Sequence, residues 1–304
     1  MKTVAAIDVG TNSTNLLVID EHGKELTRVI TSSRLGEGLH STGELSVEAM
    51  TRTIEVITSY VATAQSLGAT MIQIVGTAAC RRARNTATFS DLLKEKTQLT
   101  LEVLSESDEA AMTFSGALIG LPVIDTPTMV IDIGGGSTEY TVGTESIEIF
   151  ASIPFGAVTS TDSHISSDLP RPEDLTNLIG AVSDELEDIT RDHPIVATAM
   201  RTVGVAGTIV TIAAVELGLH EFDDSALHGM SLSRDAAEDV FRTVATEPLA
   251  LRVQNPGLGP DRADIIVAGC CILVATMRRL HLSEITVSTR GLLDGVASRA
   301  RLNS

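Results

Sequence analysis

The chain has 304 residues, 43% of them hydrophobic, and a formal net charge of −18. That length accommodates two domains with cores of ordinary size; no apolar run is long enough to span a bilayer, and the N-terminus enters a strand pattern without the charged-apolar-small order of a signal peptide, so a cytoplasmic protein without a membrane partner is expected. The acidity argues against a nucleic-acid binder, whose affinity comes from Lys and Arg neutralising phosphates, and it would require any polyanionic ligand to arrive with Mg²⁺ at a local basic patch.

Residues 3–19 read as two strands around a tight turn, and His22-Gly23 as a hairpin leading to a third strand over residues 25–30. Residues 32–44 are glycine-rich and loop-like. From Ser46 the positions Val47, Met50, Ile54, Ile57, Val61, Ala64 and Leu67 form a helical stripe closed by Gly68. Residues 71–76 then read as a buried strand, and strands, helix, strand is an α/β order. The turn that follows holds Arg81, Arg82 and Arg84 at the C-terminal end of that strand, where open α/β sheets keep their sites. One of the three is expected to meet an anion and the others to lie on the surface. After a strand over residues 99–104, Ser105 and Asp108 resemble a capping box at the start of a helix over residues 110–119, which leaves Glu109 in the first turn. Acids there favour the helix dipole; a carboxylate beside a phosphate site is also what orients and deprotonates an attacking water. Both readings of Glu109 stay open on the residues alone.

Leu121-Pro and Thr126-Pro mark a boundary, and the second half opens on Val130-Ile-Asp-Ile-Gly-Gly-Gly-Ser-Thr-Glu139. An apolar run carries Asp132 in a strand, and Gly134, Gly135 and Gly136 allow a tight turn that aims several N–H groups at one point, the way a backbone holds phosphate. Ser137 and Thr138 add hydroxyl donors, while Asp132 and Glu139 suit a hydrated Mg²⁺ accompanying that phosphate. A plain glycine-rich hairpin would use the same residues. Repetition favours the phosphate reading: Ala6-Ile-Asp-Val-Gly-Thr-Asn-Ser-Thr14 matches at Asp8/Asp132, Gly10/Gly134, Ser13/Ser137 and Thr14/Thr138. A third glycine turn, Gly204-Val-Ala-Gly-Thr208, precedes an apolar helix over residues 209–217 whose N-terminus is a further anion site. Residues 160–173 read as a polar loop. Leu175, Leu178, Ile179, Val182, Leu186 and Ile189 form an amphipathic helix, residues 236–244 a helix capped at Ser233, residues 263–280 a buried helix, residues 284–288 the last strand, and the segment from Leu292 a short helix.

Three cysteines, Cys80, Cys270 and Cys271, without metal-finger spacing read as reduced core thiols, and seven histidines without H-x-H or H-E-x-x-H order argue against zinc. Of 22 basic residues 18 are Arg, the better side chain for bidentate phosphate contacts, although base composition of the gene explains such a bias equally.

Along nearly its whole length the chain resembles the exopolyphosphatase / guanosine pentaphosphate phosphohydrolase (Ppx/GppA) family, within the superfamily of actin, Hsp70 and sugar kinases. The resemblance rests on Asp8-Val-Gly-Thr-Asn-Ser13, the Gly76-Thr…Arg81…Asn85 turn, Glu109-Ala, Asp132-Ile-Gly-Gly-Gly-Ser-Thr-Glu139, Gly204-x-x-Gly-Thr208 and Pro260-Asp-Arg-Ala-Asp-Ile-Ile266. It implies an α/β, two-domain, actin-like (ribonuclease H-like) fold of mixed sheets flanked by helices, with a central cleft. Expected domains are residues 1–124, on which a terminal helix over 292–304 packs back, and residues 125–304. It implies Glu109 as general base; Asp132 and Glu139 as Mg²⁺ ligands with Asp8 assisting; and Asn12, Ser13, Arg81, Gly134, Gly135, Gly136, Ser137, Gly207 and Thr208 as phosphate-binding residues. A monovalent cation is a further candidate cofactor. The expected activity is release of terminal orthophosphate from inorganic polyphosphate. The runner-up is hydrolysis of the 5′ γ-phosphate of guanosine pentaphosphate, and the readings from other classes are a small-molecule kinase or a non-catalytic polyphosphate or nucleotide sensor. A homodimer is a candidate partner state with no interface located in the sequence.

The chain departs from the family in two places. It is expected to be a short form, the two-domain core without the further helical domains of long members. Where the family has Gly-x-Arg-Glu-Gly it has Gly291-Leu-Leu-Asp-Gly295, with Leu293 for Arg and Asp294 for Glu, and Arg290 as the neighbouring cation. Preference for substrate length is the property on which that departure bears.

Overall fold

The computed structural model describes residues 2–302. In chain order the elements are β1 (Val4–Val9), β2 (Thr14–Ile19), β3 (Glu25–Thr31), α1 (Leu39–Thr42), α2 (Val47–Ser66), β4 (Met71–Gly76), α3 (Ala78–Arg82), α4 (Thr86–Thr97), β5 (Leu101–Val103) and α5 (Glu106–Ala117). There follow β6 (Thr128–Ile133), β7 (Thr138–Gly143), β8 (Ile147–Ile153), α6 (Ala157–His164), α7 (Pro172–Asp192), β9 (Arg201–Val205), α8 (Ala206–Glu216), α9 (Asp224–Leu227), β10 (Ser231–Ser233), α10 (Arg234–Thr246), α11 (Leu249–Arg252), α12 (Ile266–Arg279), β11 (Glu284–Val287) and α13 (Leu292–Leu302). Two compact units result: one joins the residues up to Ile119 with those from Gly291 on, and the other runs from Gly120 to Arg290. The chain therefore crosses between units at 119/120 and at 290/291, where the expected boundary was 124/125 with the terminal helix packing back on the first domain. Residues 303 and 304 of the expected terminal helix lie outside the described residues.

The first unit holds a five-stranded mixed sheet of order β3-β2-β1-β4-β5, with β1 antiparallel to β2 and parallel to β4. Both faces are covered, so β1 is apolar almost throughout. Successive side chains alternate: Ala5, Ile7 and Val9 join the cluster that includes Met50, Ile57 and Val61 of α2, while Val4 and Ala6 join the one built with Leu293, Val296, Ala297 and Ala300 of α13. Ser46 caps α2 by accepting from the Ala49 amide at 3.1 Å.

The second unit repeats the scheme in a six-stranded sheet, β10-β11-β9-β6-β7-β8. Its β6-β7-β8 meander reproduces β1-β2-β3 to the residue: Asp132 lies opposite Glu139 as Asp8 lies opposite Asn15, and the register shifts at Val142/Gly143 as it does at Val18/Ile19. The buried helix α12 crosses this unit's core, with the Tyr140 hydroxyl 2.8 Å from that of Thr276.

Several helices depart from expectation. Residues 160–164, expected in a loop, belong to α6, Leu39–Thr42 forms the short α1 within the expected loop over 32–44, and Thr86–Thr97 forms α4 where no helix was read. The α6 stretch is rich in Ser and Thr, residues whose side chains compete for the backbone and blur a helical signal; it is seated by Gly156, as described below.

Candidate active site

In the first unit Asp8 is the next-to-last residue of β1, and the chain turns through Gly10, whose amide donates to the Ser13 carbonyl at 2.9 Å. Thr14 is fully buried and its hydroxyl lies 2.8 Å from that of Ser33, which ties the start of β2 in place. Asn15 donates to Oδ2 of Asp8 at 3.0 Å, while Oδ1 of Asp8 is enclosed and accepts no hydrogen bond. Burial raises this carboxyl to about 7; the Asn15 bond opposes the rise and the charge of Glu109 adds to it. Asn12 is buried and its Nδ2 likewise lacks a partner.

Ser105 caps α5, accepting from the Asp108 amide at 3.1 Å, so Glu109 sits in the first helical turn. There it pairs with the Nη1 of Arg81, the next-to-last residue of α3, which also donates to the Leu104 carbonyl at 3.2 Å. Both side chains are largely buried, 14% exposed for Glu109 and 18% for Arg81. Burial raises the Glu109 carboxyl above the usual range, with Arg81 pulling it back. Arg84, by contrast, is on the surface beside Glu44 and the Thr42 carbonyl. Cys80 lies beside this group as a buried thiol, pushed up to about 12 chiefly by burial.

In the second unit Gly134 donates to the Ser137 carbonyl at 3.1 Å, the same closure as at Gly10. The outward carbonyls of the turn are taken by the start of α6. Gly134 accepts from the Ala157 amide, Gly135 from those of Val158 and Thr159, and Gly136 from the Thr159 hydroxyl. Since every peptide here is trans, the N–H groups of Gly135, Gly136 and Ser137 point away from α6. Three successive amides on one side have the arrangement of a backbone nest, a geometry suited to an anion. The approach of α6 requires Gly156, because a Cβ there would meet the carbonyl carbon of Gly135 and the nitrogen of Gly136 at 2.5 Å. Thr138 does not supply a donor to that nest: it is fully buried and its hydroxyl donates to the Phe155 carbonyl at 2.7 Å. Asp132 and Glu139, opposite one another across β6 and β7, share one face of the hairpin, where Glu139 accepts from the Ser152 hydroxyl at 3.3 Å.

The third glycine turn joins β9 to α8 through Ala206 at φ 66, a left-handed backbone that a residue with a Cβ adopts only under local constraint. Thr208 is buried, with Gly269 of α12 packed against its methyl group. The guanidinium of Arg262 lies directly on Gly207, so that a Cβ at Gly207 would overlap it. A cation on the positive end of a helix is unfavourable unless an anion sits with it. Arg262, which the sequence marked only as part of Pro260-Asp-Arg-Ala-Asp-Ile-Ile266, therefore joins Gly207 and Thr208 as a candidate to meet an anion. Arg252 is buried nearby, donating to four carbonyls, Val244, Ala263, Asp168 and Glu247, and so fixes the segment that carries Arg262.

Among the described residues no three His, Cys, Asp or Glu side chains are gathered as a metal cage. Mg²⁺ does not need one: it keeps several waters and takes one or two carboxylates together with substrate phosphates. In the second unit the shared face of Asp132 and Glu139 fits that mode of binding; in the first, Oδ1 of Asp8 is a carboxylate oxygen without a hydrogen-bond partner.

The profile of the Ppx/GppA phosphatase family matches residues 17–303. Exopolyphosphatase 2 of Mycobacterium tuberculosis is 31% identical over 313 residues, covering 97% of each chain. A guanosine-5′-triphosphate,3′-diphosphate pyrophosphatase of Aeromonas salmonicida is 28% identical and covers 96% of this chain but only 58% of its own length. Among solved structures, an exopolyphosphatase-like protein superposes with a TM-score of 0.92 at 26% identity over 99% of both chains, and the Aquifex aeolicus member of the family with 0.81 at 27% over 100% of this chain and 99% of that one. On the match of its sequence and of both mixed sheets with their flanking helices, the chain belongs to the Ppx/GppA phosphatase family and is a hydrolase of phosphoric anhydrides.

Proposed function

We propose that the protein is an exopolyphosphatase, releasing terminal orthophosphate from inorganic polyphosphate. The observation that carries the reading is the largely buried Glu109 at the start of α5, with its carboxyl raised by burial and an arginine beside it. A carboxylate removed from bulk water is a stronger base than one in solution, and a stronger base serves to deprotonate a water. The relative named exopolyphosphatase 2 supports polyphosphate as the substrate, because it matches this chain from end to end.

The roles follow residue by residue. Glu109 orients a water and takes its proton as the oxygen attacks the terminal phosphorus; the bridging P–O bond breaks, orthophosphate is formed, and the shortened chain leaves as an anion that needs no proton. Arg81 contacts the phosphate chain. A phosphoryl oxygen arriving beside Arg81 competes with Glu109 for the same guanidinium, so substrate binding frees the carboxylate at the moment it is needed. The amides of Gly135, Gly136 and Ser137, with Gly134 closing their turn, and the N-terminus of α8 at Gly207 and Thr208 stabilise charge on phosphoryl oxygens; Asn12 and Ser13 do the same from the first repeat. Asp132, Glu139 and Asp8 would hold Mg²⁺, which when bound neutralises charge on the phosphate oxygens.

The test is orthophosphate release in parallel from long-chain polyphosphate, short-chain polyphosphate and guanosine pentaphosphate with Mg²⁺. Faster release from polyphosphate than from the nucleotide is expected. Release from guanosine pentaphosphate alone would replace polyphosphate by the nucleotide as substrate, and no release from any of the three would overturn the reading.

A further inference from the structure

The segment in which this chain departs from the family pattern, Gly291-Leu-Leu-Asp-Gly295, forms the start of α13, and α13 is what α5 packs against. Leu293, Val296, Ala297 and Ala300 bind α13 to Val4, Ala6, Leu17, Ile19 and Val75 of the sheet. Alternation along β1 puts Asp8 on this same face. The helix that carries Glu109 is thus placed relative to Asp8 through α13.

The two helices touch backbone to backbone. A Cβ on Gly116 of α5 would overlap the Gly291 carbonyl and come within 2.8 Å of the Gly295 nitrogen; a Cβ on Gly295 would overlap the Met112 carbonyl. Neither glycine has a positive φ, so close approach, not backbone conformation, is what each supplies. Glycine inside a helix costs stability relative to alanine, and here that cost is offset by the approach it permits. The first turn of α13 is fixed in turn by Asp294, whose carboxylate accepts from the Gly291 amide at 3.0 Å and from the two terminal nitrogens of Arg28 at 2.5 and 3.2 Å. Asp294 is 8% exposed and Arg28, on β3, is 14% exposed.

We propose that Gly116, Gly295 and Asp294 are positioning residues for Glu109, setting the depth at which α5 holds that carboxylate. The inference rests on Glu109 being the general base. Gly116 lies seven residues from Glu109, about two turns of one stiff helix, so a displacement at the crossing carries to the carboxylate. Helices at ordinary contact lie roughly 8–10 Å apart; one added methyl at this crossing moves α5 outward by on the order of 1 Å, and a misplacement of that size can cost about a hundredfold in rate.

The experiment is a set of double-mutant cycles on Mg²⁺-dependent orthophosphate release from polyphosphate, with melting temperatures recorded. Gly116→Ala, Gly295→Ala, Asp294→Asn and Asp294→Glu are each made in the wild-type and in the Glu109→Gln chain. Expected for both alanine variants is a loss in kcat of about ten- to a hundredfold with KM within about twofold, and no further loss in the Glu109→Gln background. Asp294→Asn should behave likewise with a smaller loss, and Asp294→Glu, which keeps the carboxylate for Arg28, should recover most of the rate. Asp294→Asn carries the test if a glycine variant fails to fold. Full multiplication of the losses with that of Glu109→Gln, or folded glycine variants with unchanged kcat, would overturn the positioning role. Wild-type rates in Glu109→Gln itself would instead overturn the reading of Glu109 as the base, an outcome separate from either.

Discussion

Asp8, one residue before the end of β1, has one carboxylate oxygen held by Asn15 and the other enclosed without a partner, and burial lifts its titration to about 7 from an ordinary 3.8. A raised carboxylate favours the protonated folded state: its contribution to stability is complete below about pH 4 and is lost as pH rises through about 7. Metal-free protein should therefore melt at progressively lower temperature across that window, losing up to about 1.4 kcal/mol per pH unit from this group. Asp8→Asn should flatten the dependence; an unchanged slope in that variant would assign the effect elsewhere. At this scale the repeat was legible, since Asp8/Asp132 and Thr14/Thr138 do occupy matching registers. What the letters could not convey is where each hydroxyl or amide points. Thr138 reads as a phosphate donor yet gives its proton to the Phe155 carbonyl. Asn15 reads as an unremarkable strand residue yet holds Asp8. Arg262 acquires meaning only when the chain brings it onto Gly207.

The glycine turn at 134–136 owes its shape to an element that sequence alone did not reveal. Its carbonyls are capped by the start of α6, and α6 can come that close because residue 156 has no side chain. Gly156→Ala should push α6 off the turn, rotate the three amides from their common direction, and raise KM for polyphosphate about tenfold, the loss of one good charge-assisted contact. Overpacking should cost about 1–3 kcal/mol in stability, read from chemical denaturation. An unchanged KM in the folded variant would show that the turn holds its form without α6. Helices with a broad apolar stripe and a serine cap, α2 and α10, were readable because burial on one face and a hydroxyl at the start both leave marks in the sequence. The weakly patterned α6 and α4 left none, and strands such as β10, three residues long, are made by pairing rather than by propensity.

At the scale of the whole chain the dominant quantity is the net charge of −18. A polyanion approaching such a protein is repelled at long range, and salt screens that repulsion before it screens contacts of a few ångströms. With Mg²⁺ saturating, kcat/KM for long polyphosphate should rise as ionic strength increases from about 10 to about 150 mM. A steady fall would mean that a local basic surface, not the net charge, governs encounter. Two sheets built on the same three-stranded meander make the internal repeat a property of the fold as well as of the motif, which is why α/β architecture and family were legible from the outset. The return of the last helix to the first unit, expected from the sequence, is held by long-range packing of Leu293, Val296 and Ala297 on β1.

The claim on which the rest depends is that Glu109 activates water. It is tested most directly by orthophosphate release from polyphosphate in wild type and in Glu109→Gln, which keeps the shape and removes the base, with substrate affinity measured alongside. The expected result is retained binding with a loss of about a hundredfold or more in kcat. A folded Glu109→Gln protein that turns over at the wild-type rate would contradict it.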